Sequence, residues 1–475
     1  MSMNGWEAVI GLEIHVQLNT ESKMFCACAN VFGAEPNTLT CPVCLGYPGA
    51  LPTINGGAVD KAIQIGLALD CDIAGRCQFH RKNYFYPDSP KAYQISQYDQ
   101  PSCIHGHLDV DGGRIGITRA HLEEDAAKLV HAGGSGGRIA GADSSVVDFN
   151  RCGTPLVEIV TEPDLRTPEQ AVAFLGLLKN TLQTIGVSDC DMEKGSLRCD
   201  ANVSVRRRGE SAFGTKTELK NMNSFKFLGE GMAAEIRRQI ELLEAGGEVR
   251  QETLHYDPQA RELHARRSKE EADDYRYFPE PDLVPLEPSG ETVRRLRDAM
   301  PELPAARIAR FREAYGLSEQ DATDLNAAPE TADYFEAVAR ASGDGKAASD
   351  WVRNQPGAVG TIPPEGLAGI IGLISAGTIT PTIGKQVHAL LEAQPSADPA
   401  ALVADRGLAS IGDSSELEGM VDEVLAQNPQ FVEQFRSGKE GVINALVGQV
   451  MKQTRGRADA RQVQQLLRDR LKTGV

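Results

Sequence analysis

The chain has 475 residues, of which 41% are hydrophobic and 24% are charged, an ordinary composition for a globular protein of roughly two to four domains. Its formal net charge of −17 argues against indiscriminate binding to nucleic acid or to an anionic membrane through a basic surface. The sequence shows no secretory leader and no uninterrupted run of about 18 apolar residues, which predicts a cytoplasmic protein without membrane contacts.

The first predicted element is a strand, AVIGLEIHVQL at residues 8–18, in which apolar and polar residues alternate. Alternation with period two places the apolar residues on a core face and Glu13, His15 and Gln17 in a row on the other face. A strand with a solvated outer face would show the same pattern. The strand alone therefore leaves open whether these polar residues form a site.

A cysteine quartet with the spacing C-x-C-x12-C-x2-C follows, formed by Cys26, Cys28, Cys41 and Cys44. Four thiolates at such spacing complete the closed tetrahedral shell that is typical of structural Zn²⁺. Thiols stay reduced in a cytosolic protein, and a chain of this length needs no disulfides. The pattern therefore favours zinc over disulfides or four unrelated buried thiols.

Residues 79–101, FHRKNYFYPDSPKAYQISQYDQP, place basic side chains among tyrosines and phenylalanines. Arg81, Lys82 and Lys91 are the cations, and Tyr84 is one of the aromatic residues. We interpret this segment as a long loop, and long loops with such content are more often functional than inert. Cations beside stacking rings suit a nucleotide or the end of an RNA.

Acidic residues appear next in two predicted strands. HLEED places Glu123, Glu124 and Asp125 together, and TPLVEIV sets Glu158 inside an apolar run. A carboxylate in such a run is costly to bury unless it is paired or binds a cation. Glutamates from separate strands, together with one imidazole, suit Mg²⁺ or Mn²⁺ in a site that handles phosphate.

The strand SLRCDANVSVR, residues 196–206, alternates throughout and presents Arg198, Asp200 and Asn202 on its polar face. Arginine can bind phosphate oxygens with two hydrogen bonds, and the aspartate can order a metal. TELKNMNSF adds Lys220 and Asn221 shortly afterwards. These residues are predicted to bind ATP or substrate, with a solvated sheet face as the alternative interpretation.

The sequence divides into three predicted domains. Strands, loops and a few helices fill residues 1–292, and four prolines within ten residues, from Pro279 to Pro288, prevent a helix from continuing near the end of this part. Residues 293–407 are nearly all helical. A capping box at Ser415 and Glu418 then opens a small helical tail, residues 408–475.

The tail reverses the sign of the overall charge, because its last 24 residues hold seven lysines and arginines and two aspartates. An apolar stripe can dock the last helix on its neighbours and leave basic side chains outside. These residues predict a local basic site that can contact phosphate groups: Arg455, Arg457, Arg461, Arg468 and Lys472.

The elements together predict an α+β fold. Strands with a few helices fill the amino-terminal part, which is followed by an all-α domain and a small all-α tail. The chain has no G-x4-G-K-[ST] motif and no G-x-G-x-x-G at a strand–helix junction. Any ATP site is therefore expected outside the P-loop and dinucleotide-binding folds.

Eight ordered segments resemble the family of B subunits of the bacterial aspartyl/glutamyl-tRNA amidotransferases. They span residues 9–286, and the helical parts that follow fit the same family. Eight motifs in one order are far more specific than any single one. The segments are VIGLEIHVQL, CPVCLGYPGALPTIN, RKNYFYPDSPKAYQISQYDQP, HLEEDAAK, VDFNRCGTPLVEIVTEPD, GSLRCDANVSVR, ELKNMNSF and DDYRYFPEPDLVPL.

The resemblance implies an amino-terminal cradle of antiparallel sheets with helices, similar in fold to glutamine synthetase, and an ATP-dependent reaction. It also implies that the small helical tail contacts tRNA, so that the basic residues of the tail meet tRNA phosphates. ATP phosphorylates the side-chain carboxylate of glutamate or aspartate mischarged on tRNA(Gln) or tRNA(Asn), and ammonia displaces the phosphate. The implied partners are the family's amidase, its A subunit, which releases ammonia from glutamine, and a small C subunit. A non-discriminating aminoacyl-tRNA synthetase is a further candidate partner. The implied cofactors are ATP, Mg²⁺ and a structural Zn²⁺.

Matching motifs residue by residue carries the family's site onto this chain. The resemblance implies that His15, Glu124 and Glu158 bind Mg²⁺, with Glu13 beside them, and that Lys82 acts at the phosphoryl-transfer site. The cysteine quartet occurs in some members of the family and not in others, which implies a structural role.

Two other classes of function could use parts of the same sequence. A zinc-stabilised RNA-binding adaptor would need only the basic tail and the tyrosine-rich segment. Glu158 disfavours this class, because an adaptor has no need for a carboxylate inside an apolar run. A stand-alone metal-dependent hydrolase is disfavoured because no open zinc motif such as H-E-x-x-H is present.

Overall fold

The computed structural model describes residues 5–110, 112–132, 142–220, 222–257, 260, 262–265, 275–411 and 414–473. The chain divides into two compact units, Met1–Pro304 and Ala305–Val475. No helix in the described ranges is both long enough and apolar enough to cross a membrane.

The first unit is built mainly from strands. Their bounds are β1 Trp6–Gln17, β2 Asp72–Ile73, β3 Phe79–Asn83, β4 Tyr93–Gln97, β5 Cys103–Val110, β6 Gly113–Glu124, β7 Lys128–Ala132, β8 Ser144–Asp148, β9 Pro155–Thr161, β10 Leu197–Arg207, β11 Thr217–Lys220, β12 Thr253–Asp257, β13 Glu262–Ala265 and β14 Phe278–Pro279.

Twelve of these strands form one sheet, with the order β13-β12-β11-β10-β1-β9-β6-β4-β3-β14, while β5 pairs with β2 and β6. The predicted first strand, β1, lies near the centre between β9 and β10. A central strand suits its strict alternation, because one face packs against the core while the other meets neighbouring polar residues. β7 and β8 form a separate two-stranded sheet.

The sheet is mixed rather than purely antiparallel, which corrects the prediction. β11 and β12 are parallel. The helix α3, Phe225–Glu244, lies between them in the chain, and such a crossover is what a parallel pair requires. The remaining pairs described for this sheet are antiparallel.

Three more helices complete the first unit: α1 Gly56–Ala68, α2 Pro168–Thr184 and α4 Gly290–Asp298. The first core lies on the apolar side of the sheet and includes the buried Ile10, Leu12 and Ile14 of β1. The start of α4 matches the predicted change to helix, since Ser289 Oγ accepts a hydrogen bond from Thr292 N at 3.1 Å.

The segment 79–101 was interpreted as a long loop, and this was wrong. β3 and β4 lie within it and pair in register from Phe79 with Gln97 to Asn83 with Tyr93. The short connection between these strands carries Phe85, whose surface is 91% exposed. Aromatic and basic residues obscured the strand signal because the alternation covers only five residues in each strand.

The second unit is helical throughout its described elements. They are α5 Pro304–Tyr315, α6 Glu319–Leu325, α7 Pro329–Ser342, α8 Gly345–Asn354, α9 Pro364–Ser375, α10 Pro381–Ala393, α11 Pro399–Asp405, α12 Ser414–Gln427, α13 Pro429–Arg436, α14 Ile443–Gln453 and α15 Ala460–Thr473, with 3₁₀ turns at Pro356–Ala358 and Glu440–Val442.

Two hydrophobic clusters occupy this second unit. One gathers buried residues from Phe311 to Val403, and the other gathers residues from Leu417 to Leu471. The second cluster includes apolar residues of α12, α14 and α15, among them Val421, Leu446 and Leu467. An α+β amino-terminal part followed by an all-helical part is therefore confirmed, while the predicted boundaries at 292 and 407 remain predictions.

Candidate functional site

Alternation along the central strands places their polar side chains on one side of the sheet, here called the polar face. Residues paired in register share a face, and His15 pairs with Glu158 on β9 and with Arg198 on β10. Further pairs extend the face in both directions. Its members are Glu218 and Lys220 on β11, Arg198, Asp200 and Asn202 on β10, Glu13 and His15 on β1, Glu158 on β9, His121 and Glu123 on β6, Ser96 on β4, and His80 and Lys82 on β3.

Three members of the polar face, His15, Glu123 and Glu158, form what we call the carboxylate cluster. Each offers one ligand atom, and these atoms lie within 4.8 Å of one another. His15 Nε2 is 3.5 Å from Glu123 Oε1 and 3.7 Å from Glu158 Oε2. An imidazole nitrogen with two carboxylate oxygens is a donor set that fits a divalent cation such as Mg²⁺ or Mn²⁺.

The two carboxylates of the cluster have different electrostatic surroundings. Burial, with the charge of Glu158 nearby, raises the pKa of Glu123 to about 6. Burial would also raise the pKa of Glu158, but the His121 and His15 side chains lower it to about 2. Burial lowers the pKa of His121 to about 4, so this imidazole is neutral at pH 7. The cluster therefore keeps a negative charge that favours a bound cation.

The predicted Mg²⁺ ligand Glu124 does not join the carboxylate cluster. Successive residues of a strand face opposite sides, so Glu124 lies on the other face of β6 from Glu123. Its Oε1 accepts a hydrogen bond from Ile95 N at 3.0 Å and forms a buried ion pair with Lys91. The geometry thus favours Glu123 in place of Glu124 in the ligand set.

Lys91 and Glu124 border a cavity of about 80 Å³ whose wall also includes Cys26 and Cys44. This ion pair therefore lies on the side of the sheet that carries the cysteine quartet.

Two side chains predicted to bind ATP or substrate, Arg81 and Tyr84, also lie away from the carboxylate cluster. The Arg81 guanidinium donates to both carboxylate oxygens of Glu280 at 2.8 Å and to Asp282 at 3.1 Å. The hydrogen bonds to Glu280 raise the pKa of Arg81. Tyr84 lies beside Lys91 in a second small cavity, where burial raises the pKa of its hydroxyl. Arg81 on β3 therefore forms an ion pair with Glu280, which directly follows β14.

The β10–β11 flank of the polar face is a network of charged and amide groups. Asn202 Nδ2 donates to Glu13 Oε1 at 2.8 Å, and Lys220 Nζ donates to Asp200 Oδ2 at 3.0 Å. Glu218 Oε1 lies 3.5 Å from the same ammonium. Burial would lower the pKa of Lys220, but Asp200 and Glu218 raise it. The flank therefore holds a permanent cation on the polar face.

Arg198 provides a second cation on this flank. Its NH2 group donates to Asp125 Oδ2 at 2.8 Å, and Gln17 Nε2 donates to the same oxygen at 2.9 Å. Arg198 Nε is buried and has no hydrogen-bond partner in the described part of the chain. A guanidinium with one face anchored can present another donor to a ligand. The predicted neighbour Asn221 lies outside the described residues.

Lys82 stands on the opposite flank, on β3. Its Nζ is 4.8 Å from the centroid of the Tyr275 ring. The charge of Lys82 favours the ionised forms of Glu123 and Glu158. The structure thus brings Lys82, His15 and Glu158 to one face of the sheet.

The four cysteines of the quartet converge, and their Sγ atoms lie within 4.8 Å of one another. No disulfide joins the described cysteines, which are free thiols. The hydrogen bond from Cys26 is the largest influence that lowers the pKa of Cys44, to about 4, with the Cys41 N–H and Lys23 assisting. Four convergent sulfur atoms, one with thiolate character, fit a tetrahedral metal shell.

Lys23 is a completely buried cation beneath the quartet. Its Nζ donates to the carbonyls of Leu39 at 2.8 Å and Phe149 at 3.4 Å, and lies 3.7 Å from Cys44 Sγ. A buried ammonium needs a compensating anion. A tetrathiolate site that holds a divalent ion carries a net charge of −2, which Lys23 would partly neutralise.

The basic residues of the tail lie on α15 and in the turn before it. Val463, Leu467 and Leu471 of the apolar stripe of α15 are buried and Leu466 is half-buried, whereas Arg461, Arg468 and Lys472 are exposed. Arg455 is exposed in a left-handed conformation with φ 52°, and Arg457 is half-buried. Arg470, in contrast, pairs with Glu418 at 2.9 Å and Asp422 at 3.1 Å.

Sequence reasoning missed the specific roles of Glu123, Lys91 and Lys23. The alternation of β6 could have identified Glu123, because it shares a face with His121, which pairs with Glu158. No local pattern marks Lys91 or Lys23. Both become notable through their burial, which depends on distant segments.

Comparisons with known proteins agree with the motifs. The family model described as the GatB/GatE catalytic domain matches residues 8–294, and that described as the GatB domain matches residues 333–471. Two similar proteins each bear the name of the B subunit of aspartyl/glutamyl-tRNA(Asn/Gln) amidotransferase. The one from Carboxydothermus hydrogenoformans is 51% identical, over 99% of each chain. The one from Moorella thermoacetica is 50% identical, over 98% of this chain and 100% of its own.

Glu124→Gln and Glu123→Gln should have opposite effects on stability. The first change leaves the Lys91 ammonium buried without its anion, which should lower the unfolding midpoint of the first unit by about 5–15 °C. Glu123→Gln removes a buried carboxylate that has no close cation in the absence of metal. Its unfolding midpoint should therefore be unchanged or higher.

Differential scanning calorimetry in excess EDTA measures both midpoints. Adding Lys91→Met to Glu124→Gln should restore most of the loss, because the unpaired cation is removed. Equal midpoints for the two single variants would contradict the assigned faces of β6.

Proposed function

The chain belongs to the family of B subunits of the aspartyl/glutamyl-tRNA(Asn/Gln) amidotransferases, and we propose that its polar face carries out the ATP-dependent activation step. The observation that carries this proposal is the single sheet face that joins the carboxylate cluster to Lys82 on one flank and to Arg198 and Lys220 on the other. Such a face can neutralise phosphate charge from both sides of a metal site.

The proposed reaction has two displacements. A side-chain carboxylate oxygen of the mischarged glutamate or aspartate attacks the γ-phosphorus of ATP, and the bond to ADP breaks. Ammonia then attacks the carbonyl carbon of the acyl phosphate, inorganic phosphate leaves, and the nitrogen loses a proton to give the amide. Neither displacement uses a covalent protein nucleophile, so the polar face acts by positioning and by charge.

His15, Glu123 and Glu158 would hold Mg²⁺. Bound there, the ion would neutralise the charge of the transferring phosphoryl group. Burial of Glu123 and Glu158 supports this assignment, because two carboxylates in one buried site favour a bound cation. Lys82, Arg198 and Lys220 bind phosphate oxygens and hold the transferring group in place.

Several finer features belong to the same proposal. The amino-terminal cradle is similar in fold to glutamine synthetase, and the second unit comprises a helical domain to residue 407 and a tail from residue 408. The amidase, which is the A subunit, supplies the ammonia, and the small C subunit joins the assembly. The substrate is tRNA(Gln), tRNA(Asn) or both, and the synthetase that mischarges it is a further partner.

The cysteine quartet binds one structural Zn²⁺. A closed shell of four thiolates leaves no position for water or substrate, so the ion stabilises the irregular chain around it instead of taking part in the reaction. Lys23 links that shell to Phe149 and thereby to the connection between β8 and β9.

Glu123→Gln and Glu158→Gln should each lower ADP formation about 100-fold or more, because each removes a ligand of the ion that acts on the phosphoryl group. tRNA affinity should stay within about threefold, since it is spread over many phosphate contacts. The assay is ADP formed by the assembled amidotransferase with mischarged tRNA, ATP and Mg²⁺.

Glu124→Gln serves as the control, assayed below its lowered unfolding midpoint. Its carboxylate faces away from the cluster, so ADP formation should be retained. Loss of ADP formation in Glu124→Gln, with normal activity in Glu123→Gln, would show that Glu124 and not Glu123 binds Mg²⁺.

Cys41→Ser and Lys23→Met should both reduce bound zinc. Loss of one thiolate opens the shell, and loss of the buried cation should weaken zinc affinity by about 10–100-fold, as loss of outer-shell partners commonly does. Elemental analysis and competition with a chromophoric chelator measure the two effects. Cys71→Ser, a half-buried cysteine outside the quartet, is the matched control and should keep one zinc per chain.

Arg461→Gln and Arg468→Gln should weaken tRNA binding and reduce its salt dependence, with the slope of log affinity against log salt falling by about 0.7–0.9 for each lost phosphate contact. Filter binding from 50 to 200 mM salt gives this slope. Arg470→Gln is the control, since Glu418 and Asp422 already engage that side chain. An unchanged slope in the first two variants would contradict tRNA contact by α15.

A further inference from the structure

We propose that Tyr98 and Tyr277 form a stacking platform for the 3′-terminal adenine of the aminoacyl-tRNA. This inference rests on the proposed function and assigns a binding site to its second substrate. The two rings are stacked, with centroids 4.1 Å apart and planes 8° apart. They lie at the β3–β14 side of the sheet, the flank that also carries Lys82.

The stack is not ordinary core packing. Tyr98 remains 47% exposed even though Tyr277 covers one side of its ring. Neither tyrosine belongs to the described hydrophobic clusters of the first unit. His80, which is buried, meets Tyr98 edge-on at 6.5 Å and bonds to Asp99 through Nε2 at 3.0 Å. An accessible ring held firmly from behind is suited to stack on a nucleobase.

A strained turn holds Tyr277 in this position. Arg276 has φ 45°, a left-handed conformation that costs a non-glycine residue energy. Asn83 Nδ2 donates to the carbonyls of Tyr275 at 3.0 Å and Arg276 at 2.9 Å. The turn sends Tyr275 towards Lys82 and Tyr277 onto Tyr98. Strain that is maintained by two dedicated hydrogen bonds is typical of a functional position.

The platform is close to the carboxylate cluster. After burial, the charges of Glu158 and Glu123 are the largest influences that raise the pKa of the Tyr277 hydroxyl. In the sheet, β3 lies two strands from β6, which corresponds to about 10 Å at the usual strand spacing. That span suits an aminoacyl ester, whose side-chain carboxylate must reach the cluster while its terminal adenosine stays outside.

The direction of phosphoryl transfer indicates that the acceptor end of the tRNA, and not ATP, occupies the tyrosine platform. The attacking and leaving oxygens lie roughly in line on opposite sides of the phosphorus. Arg198 and Lys220 are the cations of the β10–β11 flank, and we assign them to the phosphates of the leaving ADP. The attacking carboxylate then arrives from the β3–β14 flank. Unpaired RNA ends are commonly bound by stacking on aromatic rings.

Charge also favours an RNA end here. Lys82 and Arg119 lie on or beside this half of the polar face, and Arg276 is exposed on the turn itself. Cations around a stacking ring attract the phosphates on the 5′ side of the terminal nucleotide.

The test uses the assembled amidotransferase and a tRNA(Gln) with 2-aminopurine in place of the 3′-terminal adenine. Stacking should quench its fluorescence on binding. Tyr98→Leu and Tyr277→Leu should abolish the quenching and raise KM for Glu-tRNA(Gln) about 5- to 100-fold, with KM for ATP unchanged. Tyr98→Phe and Tyr277→Phe keep the ring and should behave like the unaltered protein.

Asn83→Ala should reproduce the leucine phenotype, because it releases the turn that carries Tyr277. Phe213→Leu removes an exposed ring that contacts Arg206 and is the control that should keep both quenching and KM.

Three results would overturn the proposal. Persistent quenching with a raised KM for ATP would assign the platform to the adenine of ATP, and no change in any measurement would make the tyrosines structural. Loss of quenching together with a lowered unfolding midpoint in both the leucine and phenylalanine variants would show a packing role. Failure of the proposed function is separate: the unaltered assembly would then bind the fluorescent tRNA but form no ADP.

Discussion

The arrangement of the first unit depends on keeping two carboxylates, Glu123 and Glu158, nearly buried on one face of a sheet. Removing such groups from water is expensive unless cations surround them. The neighbouring strands place the His15 imidazole of β1 3.5 Å from Glu123 and 3.7 Å from Glu158, and the Lys82 ammonium of β3 lies on the same face. The strand pairings that form the sheet therefore also bring the charged residues of the site together.

Strand alternation explains how one sheet keeps two different chemistries apart. Glu123 and Glu124 are adjacent in the chain, yet one faces the carboxylate cluster and the other pairs with Lys91 beside the cysteine quartet. A shift of one residue in the register of β6 would exchange them, leaving each carboxylate in the wrong surroundings. The bulge near Arg119 fixes that register before the acidic residues are reached.

In the proposed function, cations on both flanks of the polar face meet the anionic substrates. A chain with a net charge of −17 repels nucleic acid in general, so cations must be concentrated where phosphate is to approach. Lys220 and Arg198 are tied to carboxylates on one flank, and Lys82 lies against an aromatic ring on the other. Holding these cations in place limits the entropy lost when a phosphate binds.

The sequence determined the alternation of β1 and β10, the cysteine quartet and the change from strand to helix near residue 290, because each depends on neighbours in the chain. Ordered motifs determined the family. Tertiary structure alone decided that Glu123 rather than Glu124 lies beside His15, that Arg81 is engaged by Glu280, and that Tyr98 meets Tyr277. These outcomes depend on register and on contacts between segments far apart in the chain, and no local period encodes such contacts.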